Sequence, residues 1–255
     1  MKQIWVIATN TFKEAIRNKI LYGFVFFAIV MMFGSLVLSD MALAADSKVV
    51  TDLGLASIAI FGIFIAIFVG INLVYKEIEK KTIYTIISKP IARYQFVIGK
   101  YVGLLLMLFV QIALMTIVLS AVIFSNDGTI NPNIYTAIIM TYFELMIITA
   151  ISIFFSAYSS PFLSSMFTIS AYIIGHVTTD LLYYGSKAKF IGLKIISIVA
   201  YYVFPNLEKF NIRSRVVHNI DIPFMELFYS VLYSFFWVAL LIVGAILLFQ
   251  KRDFK

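Results

Sequence analysis

Of the 255 residues, 62% are hydrophobic and only 13% charged, where a soluble domain carries about half and a quarter, so an ordinary water-soluble fold is excluded. The net charge of +7 would suit nucleic acid in a soluble chain; in one this apolar the placement of the cations matters more than their sum, and the expected surroundings are a lipid bilayer with no nucleic acid partner. With no cysteine, neither a disulfide framework nor thiolate metal ligation is available.

Residues 1–19 place Ile4, Trp5, Ala8, Phe12, Ala15 and Ile16 at helical spacing, with Lys2, Lys13, Arg17 and Lys19 among the polar positions. That pattern predicts an amphipathic helix lying in the interface plane, with Trp5 at the level of the headgroups. A cleaved signal peptide is the rival reading. A long polar helix precedes the apolar run, however, and Ala42 to Ala45 is a weak cleavage site, so retention is expected.

Apolar runs then predict six membrane spans, at about 20–39, 55–75, 96–124, 134–157, 162–182 and 228–249, against the roughly 20 residues a helical crossing needs; the third is long enough to tilt or to start in the interface. The first two flank a short loop with Asp40, Asp46 and Asp52 against Lys48. Asn126, Asp127, Gly128 and Pro132 mark a turn after the third. Only Tyr158 to Pro161 separate the fourth and fifth, which makes them antiparallel neighbours. The N-terminal helix, the connection from Lys76 to Lys100 and the C-terminal tail together hold thirteen Lys and Arg, while the loops 40–52 and 125–133 hold one. Six spans and the positive-inside rule therefore put both termini and the 76–95 connection in the cytoplasm, and the expected location is the cytoplasmic (inner) membrane. Residues 183–227 form a long external segment, in which Ile191 to Phe204 is apolar but too short to span. It reads as a re-entrant or interfacial helix stopped by Pro205. The predicted fold is a single all-α integral membrane domain over 1–255.

Within the spans the sequence is nearly empty of catalytic chemistry. It has no Gly-x-x-x-x-Gly-Lys-Ser/Thr loop, no His-Glu-x-x-His and no Gly-x-Ser-x-Gly, so it is not expected to be an enzyme, and no directly bound cofactor is expected. His176 and Asp180, at i and i+4, are too few for a usual metal site. Glu144 stands out, because a carboxylate well inside a span is costly unless it meets a partner or a water-filled cavity. Two readings stand: a helix-packing residue that meets Gln111 or His176, or a pathway residue together with them. Gly62, Gly70, Gly99 and Gly103 read as positions of close helix approach.

The stretch KEIEKKTIYTIISKPIARYQFVIGK, Lys76 to Lys100, is the most charged connection between two spans. Ile83, Ile86 and Ile87 fall at i, i+3 and i+4 and form one apolar face of a short helix. Pro90 ends that helix, and Arg93 and Lys100 bracket the entry to the next span. This run resembles the signature of ABC-2 type transporter permeases, carried here by Glu77, Glu79, Thr82, Ser88, Pro90, Arg93, Gly99 and Lys100. The family usually has Gly before the Thr, where this chain has Lys81. Pro205, Asn206 and Leu207 also resemble a stretch of the small single-unit permeases. The resemblance implies that Thr82 to Ser88 is a cytoplasmic coupling helix seated on a partner ATPase. In it Glu77 and Glu79 would make charge contacts, Ile83, Ile86 and Ile87 the buried face, and Arg93 the membrane anchor. It further implies two permease copies, identical or not, and two copies of a separately encoded ATPase that supplies ATP and Mg chemistry for export. A scaffold without transport and an ion-coupled carrier using Glu144, His176 and Asp180 are the alternatives.

Overall fold

The computed structural model describes residues 2–41, 46–79, 92–127, 129–188 and 190–251, and every regular element among them is helical. In chain order they are α1 (Lys2–Ile16), α2 (Lys19–Met41), α3 (Asp46–Glu79), α4 (Arg93–Asp127), α5 (Asn133–Ser156), α6 (Pro161–Ser186), α7 (Ile191–Val203), a 3-10 turn (Leu207–Phe210), α8 (Arg213–Val217) and α9 (Phe224–Lys251). Lipid offers no water to satisfy backbone N–H and C=O groups, so a chain this apolar closes them within helices. Segments of α2, α3, α4, α5 and α9 are long and apolar enough to cross a membrane. The pair 191–203 and 207–217, bent by 49°, would add a sixth if it crosses.

The predicted fifth span, 162–182, lies within α6, a continuous helix of 26 residues. At 1.5 Å per residue it is about 39 Å long, enough to cross. It is less apolar than the other five because Ser164, Thr168, His176, Thr178 and Asp180 interrupt it, and Ser164, Thr168 and Thr178 are buried against its neighbours. The second span is longer than expected at both ends. As α3 it begins at Asp46, inside the predicted acidic loop, and runs through Glu79, so Glu77 and Glu79 belong to its helical backbone. No proline interrupts Asp46 to Glu79, and Glu and Lys extend a helix readily once it has left the apolar region. Thr82, Ile83, Ile86, Ile87, Ser88 and Pro90 lie outside the described residues, as does Ala42 to Ala45.

Helices α3 and α5 form the centre of the bundle, with α2, α4, α6 and α9 around them. Gly62 and Gly70 face Leu145 and Ser152 where α3 crosses α5. The fourth and fifth predicted spans are joined tightly, as expected. Ser160 caps α6 ahead of Pro161, whose missing N–H is not needed in a first turn, and the Ser159 and Ser164 hydroxyls meet at 2.6 Å.

One end of the bundle is tied by α1, which packs along the start of α4. Buried Ala8, Thr11 and Ala15 give α1 a small-residue face, and Gly99 and Gly103 give α4 its complement. A Cβ at Gly103 would lie 2.6 Å from both the Ala8 carbonyl oxygen and Thr11 Cβ, so only glycine permits the approach. Lys100, between the two glycines and 1% exposed, lies 3.8 Å from Glu14 of α1. At the same end Arg93 donates to the carbonyls of Phe249 and Gln250, at 3.2 and 2.6 Å. A guanidinium there satisfies acceptors that the last turn of α9 leaves open and complements the helix dipole.

Gly103→Val therefore wedges α1 away from α4, with an expected cost of about 1–3 kcal/mol for an overpacked contact. Thermal unfolding of the purified protein measures it. The control is Gly34→Ala, where nothing lies within 4 Å of the added Cβ, and its effect is expected within about 0.5 kcal/mol of zero.

Candidate functional site

Glu144 sits near the middle of α5, is 4% exposed, and so has to find its compensation inside the protein. The antiparallel α6 supplies it. His176 Nε2 lies 2.9 Å from Glu144 Oε1, and the other ring nitrogen, Nδ1, lies 3.0 Å from Glu208 Oε2. The Tyr172 ring, one turn earlier on α6, meets the imidazole in a T-shaped contact with ring centroids 4.6 Å apart.

Glu208 arrives from a distant part of the chain, and each step of its approach has a local cause. Pro205 follows the C-terminal end of α7 and cannot extend it. Asn206 is then pinned twice: its N–H donates to the Tyr233 hydroxyl of α9 at 2.7 Å, and its Nδ2 donates to Thr179 Oγ1 of α6 at 2.9 Å. Gly175 removes the obstacle, since a Cβ there would lie 2.8 Å from the Pro205 carbonyl oxygen and from Leu207 Cγ. With Leu207 and Phe210 buried, the 3-10 turn enters the bundle and presents Glu208 to His176. Asn211 Nδ2 donates to both Glu208 oxygens, at 3.1 and 3.3 Å. Beyond the turn, Arg213 Nε lies 2.9 Å from Asp52 of α3, and Arg215 forms a two-pronged pair with Glu226 of α9.

A neutral imidazole carries one N–H, so hydrogen bonds to carboxylate oxygens at both nitrogens need an imidazolium or a proton on one carboxyl group. Glu144, His176 and Glu208 therefore hold protons as one unit. Glu144 and His176 border a cavity of about 240 Å³ lined also by Leu55 and Ala59 of α3, by Thr141 of α5, and by Asn211 and Arg213 of the inserted segment.

Of the expected pathway residues, the structure brings Glu144 and His176 together and leaves Gln111 apart. Gln111 is buried on α4, and its Nε2 donates to Met115 Sδ at 3.2 Å, one turn along its own helix. Asp180 is exposed and lines the apolar groove between α6 and α7. Sequence reasoning missed Glu208, Asn211, Arg213 and Asp52. The available signal was an acid, an amide and an arginine crowded just after Pro205 in an otherwise apolar segment.

The opposite end of the bundle carries a different surface. There Asn10, Lys13, Glu14, Arg17, Asn18 and Lys19 border an open cleft of about 650 Å³ beside Leu73 of α3. Glu77 and Glu79 follow on α3, and Arg93 opens α4.

Residues 5–254 match the model of a family described as ABC-2 family transporter protein. No curated protein matches the chain.

The Glu144–His176 contact is expected to be cooperative. His176→Ala alone leaves a carboxyl group buried without its partner, while Glu144→Leu together with His176→Ala removes both polar groups. A double-mutant cycle on thermal or denaturant unfolding should give a coupling of about 0.5–3 kcal/mol, the range for contacting residues. Additive losses would show that the two side chains do not depend on each other.

Proposed function

This chain belongs to the ABC-2 transporter family, and from that membership we propose that it is the permease subunit of an ATP-driven exporter in the cytoplasmic membrane. The match over nearly the whole chain carries the reading. Permeases of this family are generally the membrane subunits and rely on an ABC ATPase, and this sequence has no P-loop of its own. ATP and Mg are thus handled by a partner, which we take to be present in two copies beside two permeases.

Coupling is proposed at the end that carries α1. Thr82 to Ser88 connects α3 to α4, and α1 packs on α4, so a push on either would reach the helices at the centre of the bundle. The cleft bordered by Lys13, Arg17 and Lys19 gives this end a basic surface, as expected of a face turned to the cytoplasm. In this reading Glu77 and Glu79 supply charge contacts to the ATPase, and Ile83, Ile86 and Ile87 the apolar ones. Arg93 acts by holding the end of α9 against α4. The mid-span breaks in paired halves that mark an ion-coupled carrier do not interrupt α3, α4, α5 or α6, each of which is continuous.

The test is affinity purification of the tagged chain in mild detergent. A P-loop ATPase should co-purify with it, and retention should fall to background in Ile83→Asp/Ile86→Asp while the variant elutes as a folded, monodisperse protein. A folded chain that retains no ATPase, or a double variant that retains it fully, would overturn the reading.

A further inference from the structure

We propose that the cavity between α3, α5, α6 and the 207–213 segment binds a small organic monocation whose ammonium group rests against Glu144. The first support is the balance of charge. Facing the cavity or bonded to its lining are three carboxylates, Asp52, Glu144 and Glu208, against one guanidinium, Arg213, and one imidazole, His176. With one proton shared among Glu144, His176 and Glu208, the group is one positive charge short of neutral. Lys209 does not make up the difference, since its ammonium lies over the Tyr233 ring at 4.4 Å, on the side facing α9. Arg215 is matched by Glu226.

The unmatched charge has a definite place. Glu144 Oε1 is held by His176, but Oε2 accepts no hydrogen bond from any described residue, and the side chain lines the cavity. That oxygen opens on the cavity, where a cation could meet its charge directly. Asp52 has its partner at 2.9 Å, and Glu208 has His176 and Asn211. Asp52 is 45% exposed and its second oxygen can meet water, so Glu144 is the one deeply set carboxylate of the three with an oxygen turned to the cavity.

Size and lining decide the kind of cation. A volume of 240 Å³ is several times the roughly 30 Å³ that one water occupies in the liquid, more than a proton or a bare alkali ion fills. The walls are mixed: Leu55, Ala59 and Ile60 would take carbon, while the Tyr172 and Phe210 rings lie within the lining and favour an organic cation. Asn211 and Arg213, at the rim, would take an acceptor on the ligand's far end.

This site needs no ATPase and stands apart from the permease reading. The experiment is thermal unfolding of the full chain in lipid nanodiscs, titrated with methylammonium chloride against sodium chloride at equal ionic strength. Methylammonium should give a saturable rise in unfolding temperature that sodium does not match. Apparent affinity should fall about tenfold or more in Glu144→Gln, the scale on which one nearby opposite charge shifts an ionic equilibrium, because the amide keeps the size and a partner for His176 but loses the charge. Arg213→Gln deepens the charge deficit and should bind more tightly. No saturable rise in the unsubstituted chain, an equal rise with sodium, or undiminished affinity in Glu144→Gln would overturn the proposal. Should Glu144→Gln fail to fold, Glu208→Gln at the half-exposed carboxylate removes the same charge, and unchanged affinity there is equally contrary.

Discussion

A carboxylate in the middle of a membrane helix is the constraint from which one half of this molecule follows. Glu144 is buried among apolar side chains of α5, and an ionised group there costs several kcal/mol unless its charge is answered. His176 answers it, which fixes how α6 lies on α5. The imidazole has a second nitrogen, and Glu208 meets it, which draws the chain after α7 into the bundle. Asn206, Gly175 and the Arg213–Asp52 pair then hold that segment against α6, α9 and α3. Four long helices and the segment after α7 thus converge on one short polar chain within an apolar core.

The other half is organised by close packing. Gly99 and Gly103 let α1 approach α4 to backbone distance, and Lys100 and Arg93 tie the same end through Glu14 and the last carbonyls of α9. Where helices meet in lipid there is no hydrophobic force between them, so such contacts of small residues and a few polar bonds supply the cohesion. The bundle is therefore closely tied at the end proposed to receive force, and it carries its cavity and inserted segment toward the other. That division fits the proposed coupling, in which a partner ATPase moves helices whose far halves border the cavity.

Much of this was legible in the sequence. Apolar run length alone places α2, α3, α4, α5 and α9, because lipid enforces helix wherever a run of that length occurs. The break at Pro205 and the short α7 before it were equally readable. The oddity of Glu144 was visible, and His176 as one of its two suggested partners was right. Gln111 was not, because spacing along separate helices does not say which faces meet. Glu208 was out of reach for a related reason. Its position depends on Gly175 of α6 making room for Pro205 and Leu207, and on two hydrogen bonds from Asn206 to different helices. The extension of α3 through Glu79 was missed because a charged stretch reads as a connection, although its residues favour helix once the helix has begun.

The direction in which the two ends face is the claim on which the functional reading turns, and a chain without cysteine permits a direct test. Single cysteines at Asn10, exposed beside the basic cleft, and at Asp221, exposed before α9, are treated in intact cells with a membrane-impermeant maleimide. The expected result is labelling of Asp221→Cys from outside and of Asn10→Cys only after permeabilisation. Labelling of Asn10→Cys in intact cells, with Asp221→Cys protected, would put the basic end outside and contradict an ATPase-coupled permease with its cavity turned away from the cytoplasm.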